Sequence, residues 1–551
     1  MVLINMVSIR DISLRGNSNS SGIIALLLSV FFALIFVFKT FGVDFVLGKS
    51  SFWMTEVDDV TQYIAGFNMY FTAPWKFPLL AFDSLNYPQG TRVTFVDAIP
   101  LYALFLKAVL PTSLAPLNPF GVWVALSFIL QAVSAWWIAR ELRIRSWALL
   151  GALLVTLLTY PALMARLGHI SLMSHWILLF ALALYIRRNR SGKWPCYAWS
   201  TLLFCGFYVN IYLFAMACGI YLASFLVAGF RPDWRSALKF ILPFLALLAS
   251  AFLLLLPFPA GEVTREWGFG YYSMNLLSPF SGGRIFQLQV EEVAGQFEGF
   301  NYLGLGVILA SFAALALSRT QDRSFFKRHW PLFLLMAGYS FYALSNQIYF
   351  GGKQVLVIRY PEIFGAITSQ FRASGRFFWP VGYCIIVFSL LMLHRSLKPW
   401  VFVMVAIILV ILQIGDLKDR YSILKTVAHR QYDSRLNRAA WNLAVGTNIQ
   451  NLYFYPKFKC GKTPAHDTLL PVMRYAAEQR LNLNTGYIAR YTPLCDDIAV
   501  EIAGSSHANS IYVFVRNEFN DLNAIKMLFP ANTVPECREV DFAFICQSRM
   551  N

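Results

Sequence analysis

The chain has 551 residues, of which 57% are hydrophobic and only 14% are charged, and its mean hydropathy is +0.54. This composition excludes a soluble fold of that length, so lipid is expected to be the main solvent. The net charge of +17 is concentrated in short basic loops between apolar runs. That pattern is typical of membrane topology and argues against nucleic acid as a partner.

About eleven apolar segments follow one another along the chain, and each is interpreted as a membrane-spanning helix. The predicted spans are residues 22–40, 121–139, 147–163, 171–186, 196–209, 211–229, 238–257, 302–318, 330–346, 377–393 and 399–415. The first follows a polar leader with Arg10 and Arg15 and has no small-residue cleavage site after it. It is therefore interpreted as a retained helix rather than a signal peptide.

The basic loops predict the orientation of the bundle. Lys and Arg cluster at residues 140–145, 187–193, 231–239, 319–328 and 395–398, and such clusters remain on the cytoplasmic side. An odd number of crossings then places the N-terminus in the cytoplasm and the C-terminal tail in the periplasm of a bacterial inner membrane. The predicted fold is a mainly α-helical multi-pass membrane domain, residues 1–417, followed by a soluble periplasmic α/β domain, residues 418–551.

Three long loops are predicted on the outer face, at residues 41–120, 258–301 and 347–376. Within the first loop, residues 57–71 and 100–110 can each form an amphipathic helix along the membrane surface. Proline and glycine punctuate the segment between them, which indicates a structured turn region. Long outer loops above a helical bundle favour a roofed cavity at the membrane surface.

In the tail, strand-like runs at 451–454, 511–515 and 542–545 alternate with helical stretches at 468–479 and 520–529. Its cysteines are Cys460, Cys495, Cys537 and Cys546. An even number of cysteines in an exported domain predicts two disulfides, and sequence order favours pairing the first with the second and the third with the fourth. Buried free thiols are the alternative.

Glu56, Asp58 and Asp59 form an acidic cluster just beyond the first span. Crowded carboxylates raise one another's pKa, which suits a general base or a cation site. The alternative is a solvated acidic patch.

At this cluster the chain resembles the GT-C class of membrane glycosyltransferases, which use lipid-phosphate sugars. The resemblance rests on the multi-span bundle, the acidic motif WMTEVDDVTQY in the first outer loop and the soluble C-terminal domain. The patterns YPQGTRVTFVDAIPL, GHISLMSHW and FRASGRFFWP are similar to those of poorly characterised bacterial members. The resemblance implies that Asp59 or Asp58 removes the proton from an acceptor hydroxyl, which attacks the anomeric carbon of a polyprenyl-phosphate sugar with inversion. Asp59 is preferred only slightly over Asp58, because a helix places the two residues on different faces and the sequence does not tell which face looks inward.

A lipid-phosphate leaving group needs cations near the outer surface. Arg372 and Arg376 are one helical turn apart, so their guanidinium groups share a face that suits phosphate oxygens, and Arg359 is a weaker candidate. Ordinary helix-end anchoring is the alternative. Positive charge is expected mainly inside, so outer arginines favour a function.

Further residues are predicted to line the substrate pocket: Glu56, His169, Glu262, Glu266 and Tyr271. Solvation of a surface loop is the equal alternative for Glu262, Glu266 and Tyr271, and a hydrogen-bonding role between helices is the alternative for His169. His175 is equally well explained as a hydrogen-bonding residue between helices. No nucleotide-binding glycine motif or zinc-type spacing is present in the sequence. A divalent metal, Mg²⁺ or Mn²⁺, bridging carboxylate and phosphate stays open.

The expected acceptor is a cell-envelope glycan such as lipopolysaccharide O-antigen, and membrane lipid is the expected environment. A lipid-linked glycan flippase is the alternative from another class, although the chain has no convincing internal repeat and its polar candidates gather at one surface. An O-antigen polymerase shares the topology but does not obviously need the Asp pair.

Overall fold

The computed structural model describes residues 18–227, 234–258, 262–263, 266–288, 290, 293–318, 323–432, 434–492, 494–495, 497–519 and 521–550. The helices are α1 Ser18–Phe41, α2 Val43–Val46, α3 Asp59–Thr72, α4 Pro100–Val109, α5 Phe120–Glu141, α6 Trp147–Leu158, α7 Pro161–Met164, α8 Trp176–Ser191, α9 Cys196–Val209, α10 Ile211–Val227, α11 Trp234–Leu254, α12 Leu305–Leu317, α13 Arg323–Arg328, α14 Trp330–Leu344, α15 Gly365–Gln370, α16 Trp379–Ser396, α17 Pro399–Asp416, α18 Lys418–Ala428, α19 Arg438–Val445, α20 Leu469–Gln479, α21 Ile498–Ala503 and α22 Leu522–Lys526. The strands are β1 Ala81–Phe82, β2 Thr91–Arg92, β3 Glu262–Val263, β4 Gln347–Phe350, β5 Lys353–Val357, β6 Asn451–Tyr455, β7 Asn482–Leu483, β8 Tyr491–Thr492, β9 Ser510–Val515, β10 Thr533–Val540 and β11 Ala543–Met550.

Seven helices among the described residues are long and apolar enough to cross a membrane. They are Ser21–Phe41, Phe120–Glu141, Trp147–Met164, Ile170–Ser191, Trp234–Leu254, Ser374–Ser396 and Pro399–Asp416. Every predicted span coincides with helix, but four of them, α9, α10, α12 and α14, have only 14, 17, 13 and 15 residues. A 14-residue helix is only about 21 Å long, short of the ~30 Å hydrocarbon layer. A count of about eleven crossings therefore stays a prediction.

The bundle has a packed interior and an apolar outer surface. Helix α5 packs against α1, α6 and α8, and α12 packs against α16 and α17. On the outer side, large apolar side chains are exposed, such as Leu27 and Phe31 of α1, Phe252 of α11 and Ile411 of α17. Apolar surface of this extent is stable only against lipid or a partner, so the exposed faces fit a membrane protein.

The first loop folds differently from the prediction for residues 57–71. Helix α3 forms there, but every residue from Val60 to Phe71 is buried. The helix packs against α20 of the C-terminal region on one side and against the turn at 93–96 on another. Since both sides are covered by protein, a position along the membrane surface was the wrong expectation for this helix.

The C-terminal unit, residues 438–550, is a small α/β fold with a five-stranded sheet in the order β10-β11-β9-β6-β7. Strand β6 pairs in parallel with both β7 and β9, while β11 runs antiparallel to β9 and β10. The structure joins Cys460 to Cys495 and Cys537 to Cys546, the pairing that sequence order favours.

The C-terminal unit is joined to the first loop by hydrogen bonds. The buried Arg474 of α20 donates to the carbonyls of Trp53 and Thr55, at 2.6 and 2.9 Å. The amide of Leu483 donates to Ser84, at 2.8 Å. Strand β8 pairs with β3 of the second predicted loop. The C-terminal unit therefore packs on both the first and the second predicted loops.

Candidate functional site

Asp58 and Asp59 point to different surroundings at the start of α3. Asp58 is the residue before the helix, and its carboxylate accepts from the Thr55 hydroxyl at 3.2 Å and is hydrogen-bonded to Tyr432. Asp59 is the first helical residue, and its Oδ2 lies 3.3 Å from Nδ1 of His169. The adjacent carboxylates therefore have different surroundings even though they are neighbours in sequence.

His169 links Asp59 to a buried ionic cluster. Its Nε2 lies 3.6 Å from Oε1 of Glu298, so the imidazole sits between two carboxylates. The side chains of Asp59 and His169 are about one-third exposed (32% and 30%), whereas that of Glu298 is 6% exposed. The chain of contacts thus has one end that solvent or substrate can reach and one end fixed in the protein.

Glu298 is held by two buried arginines. Arg376 donates to it through Nε at 3.0 Å and Nη2 at 2.7 Å, and Arg166 forms a second ion pair with it. Burial alone raises the pKa of the Glu298 carboxyl, but the positive charges of Arg376 and Arg166 outweigh that effect and hold the pKa below its usual range.

A close backbone approach places this ion pair. A Cβ on Gly375 would lie 2.4 Å from the Cα of Gly299, so only a glycine at position 375 lets the two backbones meet there. Asn301 ties the same two segments together by donating to the carbonyls of Gly299 and Gly375 at 3.0 and 2.9 Å. Glu298 and Arg376 each adjoin one of these glycines, which explains their contact across the fold.

Asp97 is a second carboxylate beside Asp59 and His169. It follows the turn at 93–96 in a left-handed conformation and accepts from the Tyr63 hydroxyl at 2.5 Å and the Ser171 hydroxyl at 3.2 Å. Burial raises the pKa of Asp97 and the charge of Asp59 adds to that rise, while the Tyr63 and Ser171 hydrogen bonds and His169 oppose it. We call Asp59, Asp97, His169, Glu298 and Arg376 the polar site.

Arg372 lies at a more exposed edge, next to the polar site. Its guanidinium lies 5.4 Å from the centre of the Tyr272 ring, and its Nη1 donates to the Trp267 carbonyl at 3.1 Å. It also pairs with Glu266 at 3.6 Å, and Lys459 of the C-terminal unit pairs with the same carboxylate at 3.0 Å. Tyr271 packs edge-on against Tyr272, with ring centres 4.9 Å apart.

The C-terminal unit contributes two further residues. The carbonyl of Tyr487 accepts from Gln62 of α3 at 2.7 Å, and Arg490 donates to the Gln370 carbonyl at 2.6 Å. Burial raises the pKa of Tyr487 to about 12, with Asp59 and Glu266 adding to the rise and Arg372 opposing it. The charges of Asp59, Glu266 and Arg372 therefore all act on this tyrosine.

The structure brings Asp59, His169, Arg376, Arg372 and Glu266 into one region but not every predicted residue. Glu56 is buried against the C-terminal unit, where it accepts from the Arg435 amide at 2.6 Å and pairs with Arg438. This arrangement makes Glu56 a contact between the first loop and the tail, and its expected place in the substrate pocket stays a prediction.

The other candidates are placed as follows. Arg359 is exposed beyond β5. The backbone of Glu262 pairs with Thr492 in the β3–β8 ladder, and its side chain lies outside the described part of the structure. His175 is fully buried between helices, where Nδ1 lies 2.7 Å from the Tyr383 hydroxyl and the ring packs on Trp379.

Glu298, Asp97, Arg166, Tyr487 and Arg490 were not singled out by the sequence. Asp97 lies within the pattern YPQGTRVTFVDAIPL, so that pattern was the available signal for it. Glu298 lies in a loop, and no local sequence motif marks it. Among the described residues, no group of three His, Cys, Asp or Glu side chains has the geometry of a metal site. A divalent metal stays a prediction.

Fold and site together define an α-helical protein with seven candidate membrane spans, whose loops and C-terminal α/β unit enclose a charged polar site at one end of the bundle. The chain belongs to the DUF6311 family: the family profile, described as a domain of unknown function, matches residues 30–418, and the DUF6311 C-terminal domain matches residues 440–548. No curated protein matches the chain.

Proposed function

We propose that the protein is an inverting glycosyltransferase that moves a sugar from a polyprenyl-phosphate donor to a cell-envelope glycan, such as lipopolysaccharide O-antigen, on the periplasmic face of a bacterial inner membrane. The observation that carries the proposal is the polar site itself. A partly exposed carboxylate, Asp59, is oriented by His169 at the end of the bundle where a lipid-linked donor and a water-soluble acceptor can meet. In this proposal the four short helices also cross the membrane, giving about eleven spans.

Asp59 is the proposed general base. Its carboxylate accepts the proton of an acceptor hydroxyl while the hydroxyl oxygen attacks the anomeric carbon of the sugar. The bond between that carbon and the phosphate oxygen breaks on the opposite face, and both bonding electrons leave with the polyprenyl phosphate. The configuration at the anomeric carbon is therefore inverted, and the released proton stays on Asp59 until solvent removes it.

The surrounding residues favour Asp59 over Asp58 for this role. His169 lies against Oδ2 of Asp59 and is itself anchored by the buried Glu298, so the imidazole can hold the base in one orientation. Asp58 is engaged by Thr55 and Tyr432 instead. Burial raises the pKa of Asp97, so this carboxyl is suited to retain a proton and to act as a neighbouring hydrogen-bonding group.

The test is to complement a strain that lacks the gene with the wild-type chain, Asp59→Asn or Asp58→Asn and to analyse its envelope glycans by mass spectrometry. Loss of a general base reduces transfer by about 10²–10⁴-fold, so Asp59→Asn is expected to abolish the added sugar. Asp58→Asn is the matched control and is expected to retain it. Membrane levels of all three chains are compared by immunoblot.

Sugar addition by Asp59→Asn at the wild-type level would reject this mechanism. If both variants also modify the glycan normally while deletion of the gene removes the glycan from the outer leaflet, the flippase or polymerase alternative would be favoured.

A further inference from the structure

Three cations from two parts of the fold lie beside the polar site, and two of them pair with the same carboxylate. Arg372 comes from the loop before α16, and Lys459 and Arg490 come from the C-terminal unit; we call these three residues the basic rim. Arg372 and Lys459 pair with Glu266 at 3.6 and 3.0 Å. Arg490 reaches the carbonyl of Gln370, two residues before Arg372, at 2.6 Å. The three positive charges therefore gather at one junction.

The fold holds the two C-terminal cations in defined loops. Lys459 and Arg490 both adopt left-handed backbone conformations, with φ of 65° and 57°. Arg490 directly precedes β8, which pairs with β3, while Cys460, next to Lys459, is bonded to Cys495. The disulfide thus joins the loop that carries Lys459 to the segment that follows Arg490.

Arg372 and Lys459 of the basic rim are partly exposed, and the rim lies near the proposed base. The side chains of Arg372 and Lys459 are 35% and 33% exposed, against 12% for Arg376. The loop that leads to Arg490 also reaches α3 near Asp59, because the backbone carbonyl of Tyr487 accepts from Gln62, one helical turn after Asp59. A ligand bound at the basic rim would therefore lie on the Asp59 side of the C-terminal unit.

The balance of charge at the basic rim differs from that at another contact, the one between the first loop and the C-terminal unit. Elsewhere, Arg438 and Arg474 pair with Glu56 and Glu478, so two cations meet two carboxylates. At the basic rim, Glu266 is the carboxylate that pairs with the cations among the residues described. Three cations against one carboxylate leave a surplus of two positive charges, which an anionic ligand can neutralise.

We propose that Arg372, Lys459 and Arg490 together bind the phosphate of the lipid-linked donor, so that the C-terminal unit completes the donor site. This inference rests on the proposed function and names its phosphate subsite. As the sugar leaves, the phosphodiester becomes a monoester with a charge of about −1.5 to −2. The surplus at the basic rim matches that charge, so the cluster stabilises the leaving group more than the intact donor.

The experiment measures binding of farnesyl phosphate to the full-length protein in a mild nonionic detergent by isothermal titration calorimetry. Arg372→Gln, Lys459→Gln and Arg490→Gln are each expected to weaken binding about tenfold or more. Arg480→Gln is the matched control: this arginine of the same unit also has a left-handed backbone and donates to a carbonyl, that of Ala115 at 3.2 Å. It is expected to bind as the wild type does.

Additional arms separate the phosphate from the lipid. Inorganic phosphate is expected to compete with farnesyl phosphate, and farnesol is expected to bind with the same affinity in the wild type and the rim variants. Wild-type affinity in all three variants, or no binding of farnesyl phosphate to the wild-type protein, would overturn the inference. If one variant fails to fold, which its melting temperature reveals, the other two decide the result.

Asp59→Asn separates this inference from the proposed function. It is expected to bind farnesyl phosphate normally while losing sugar transfer. Weak binding in the rim variants together with full transfer by Asp59→Asn would leave the phosphate site standing and reject the catalytic role of Asp59. Normal binding in the rim variants together with inactive Asp59→Asn would reject only the basic rim.

Discussion

Replacing Glu298 with Gln is expected to destabilise the protein strongly. The change keeps the shape of the side chain but removes the charge that neutralises two buried arginines. Arg376 loses the carboxylate to which it donates at 3.0 and 2.7 Å, and Arg166 loses its ion pair. His169 also loses one of the two carboxylates between which it lies.

The size of the effect follows from the burial of these groups. Removing one partner of a buried ion pair leaves an uncompensated charge, which costs about 3–5 kcal/mol. Glu539 offers the matched control, because it pairs with Arg516 where both side chains are about half exposed. Such surface pairs contribute about 0–1 kcal/mol, so Glu539→Gln is expected to unfold almost as the wild type does.

The assay follows tryptophan fluorescence of the wild type and both variants during heating in detergent, first at pH 7 and then at lower pH. The pKa of Glu298 is lower in the folded protein than in the unfolded chain, where it is about 4.3. The stability that the Glu298 carboxylate contributes is therefore complete above about pH 4.3 and is lost as the pH falls toward the pKa of the folded state. The difference in melting temperature between the wild type and Glu298→Gln should therefore become smaller below about pH 4. Equal melting of the two glutamine variants at pH 7 would refute the reasoning.

Two further predictions concern stability and the disulfide. Burial lowers the pKa of Lys107 to about 8, below the value of about 10.4 in an unfolded chain, so the wild type should gain stability relative to Lys107→Met as the pH rises between these values. Parallel melting temperatures of the two proteins between about pH 8 and 10 would contradict this. Replacing Cys460 and Cys495 together by Ser should weaken farnesyl phosphate binding in calorimetry, because the bridge joins the segments that carry the C-terminal cations of the basic rim. The same double change at Cys537 and Cys546, which links β10 to β11, should leave binding unchanged, and equal losses in both would reject a local role.

The helices were predictable from the sequence because their signal is local. A run of apolar residues determines where a helix lies, and all the predicted spans coincide with helix. The lengths of these helices were less predictable. Asn210, in an extended conformation, separates α9 from α10, and this break leaves two helices that are each short for a span.

The site was predictable only in part, because its geometry depends on distant contacts. Asp59, His169 and Arg376 stood out as residue types in unusual places, but Glu298, which joins His169 to Arg376, did not. Glu298 meets Arg376 across 78 positions, through the close approach of Gly299 and Gly375. The different directions of Asp58 and Asp59 also depend on the tail, since Tyr432 engages Asp58.

The burial of α3 beneath the C-terminal unit has a consequence for biosynthesis. Gln62 and Tyr487 are 425 residues apart in sequence, so at ~5–20 residues per second a ribosome needs roughly 20–85 seconds to make the second after the first. During that interval α3 lacks the covering that α20 provides, and Asp59 lacks its neighbour Tyr487. A chain interrupted before residue 459 therefore carries the proposed base without Lys459 and Arg490, so the proposed sugar transfer would await synthesis of the C-terminal unit.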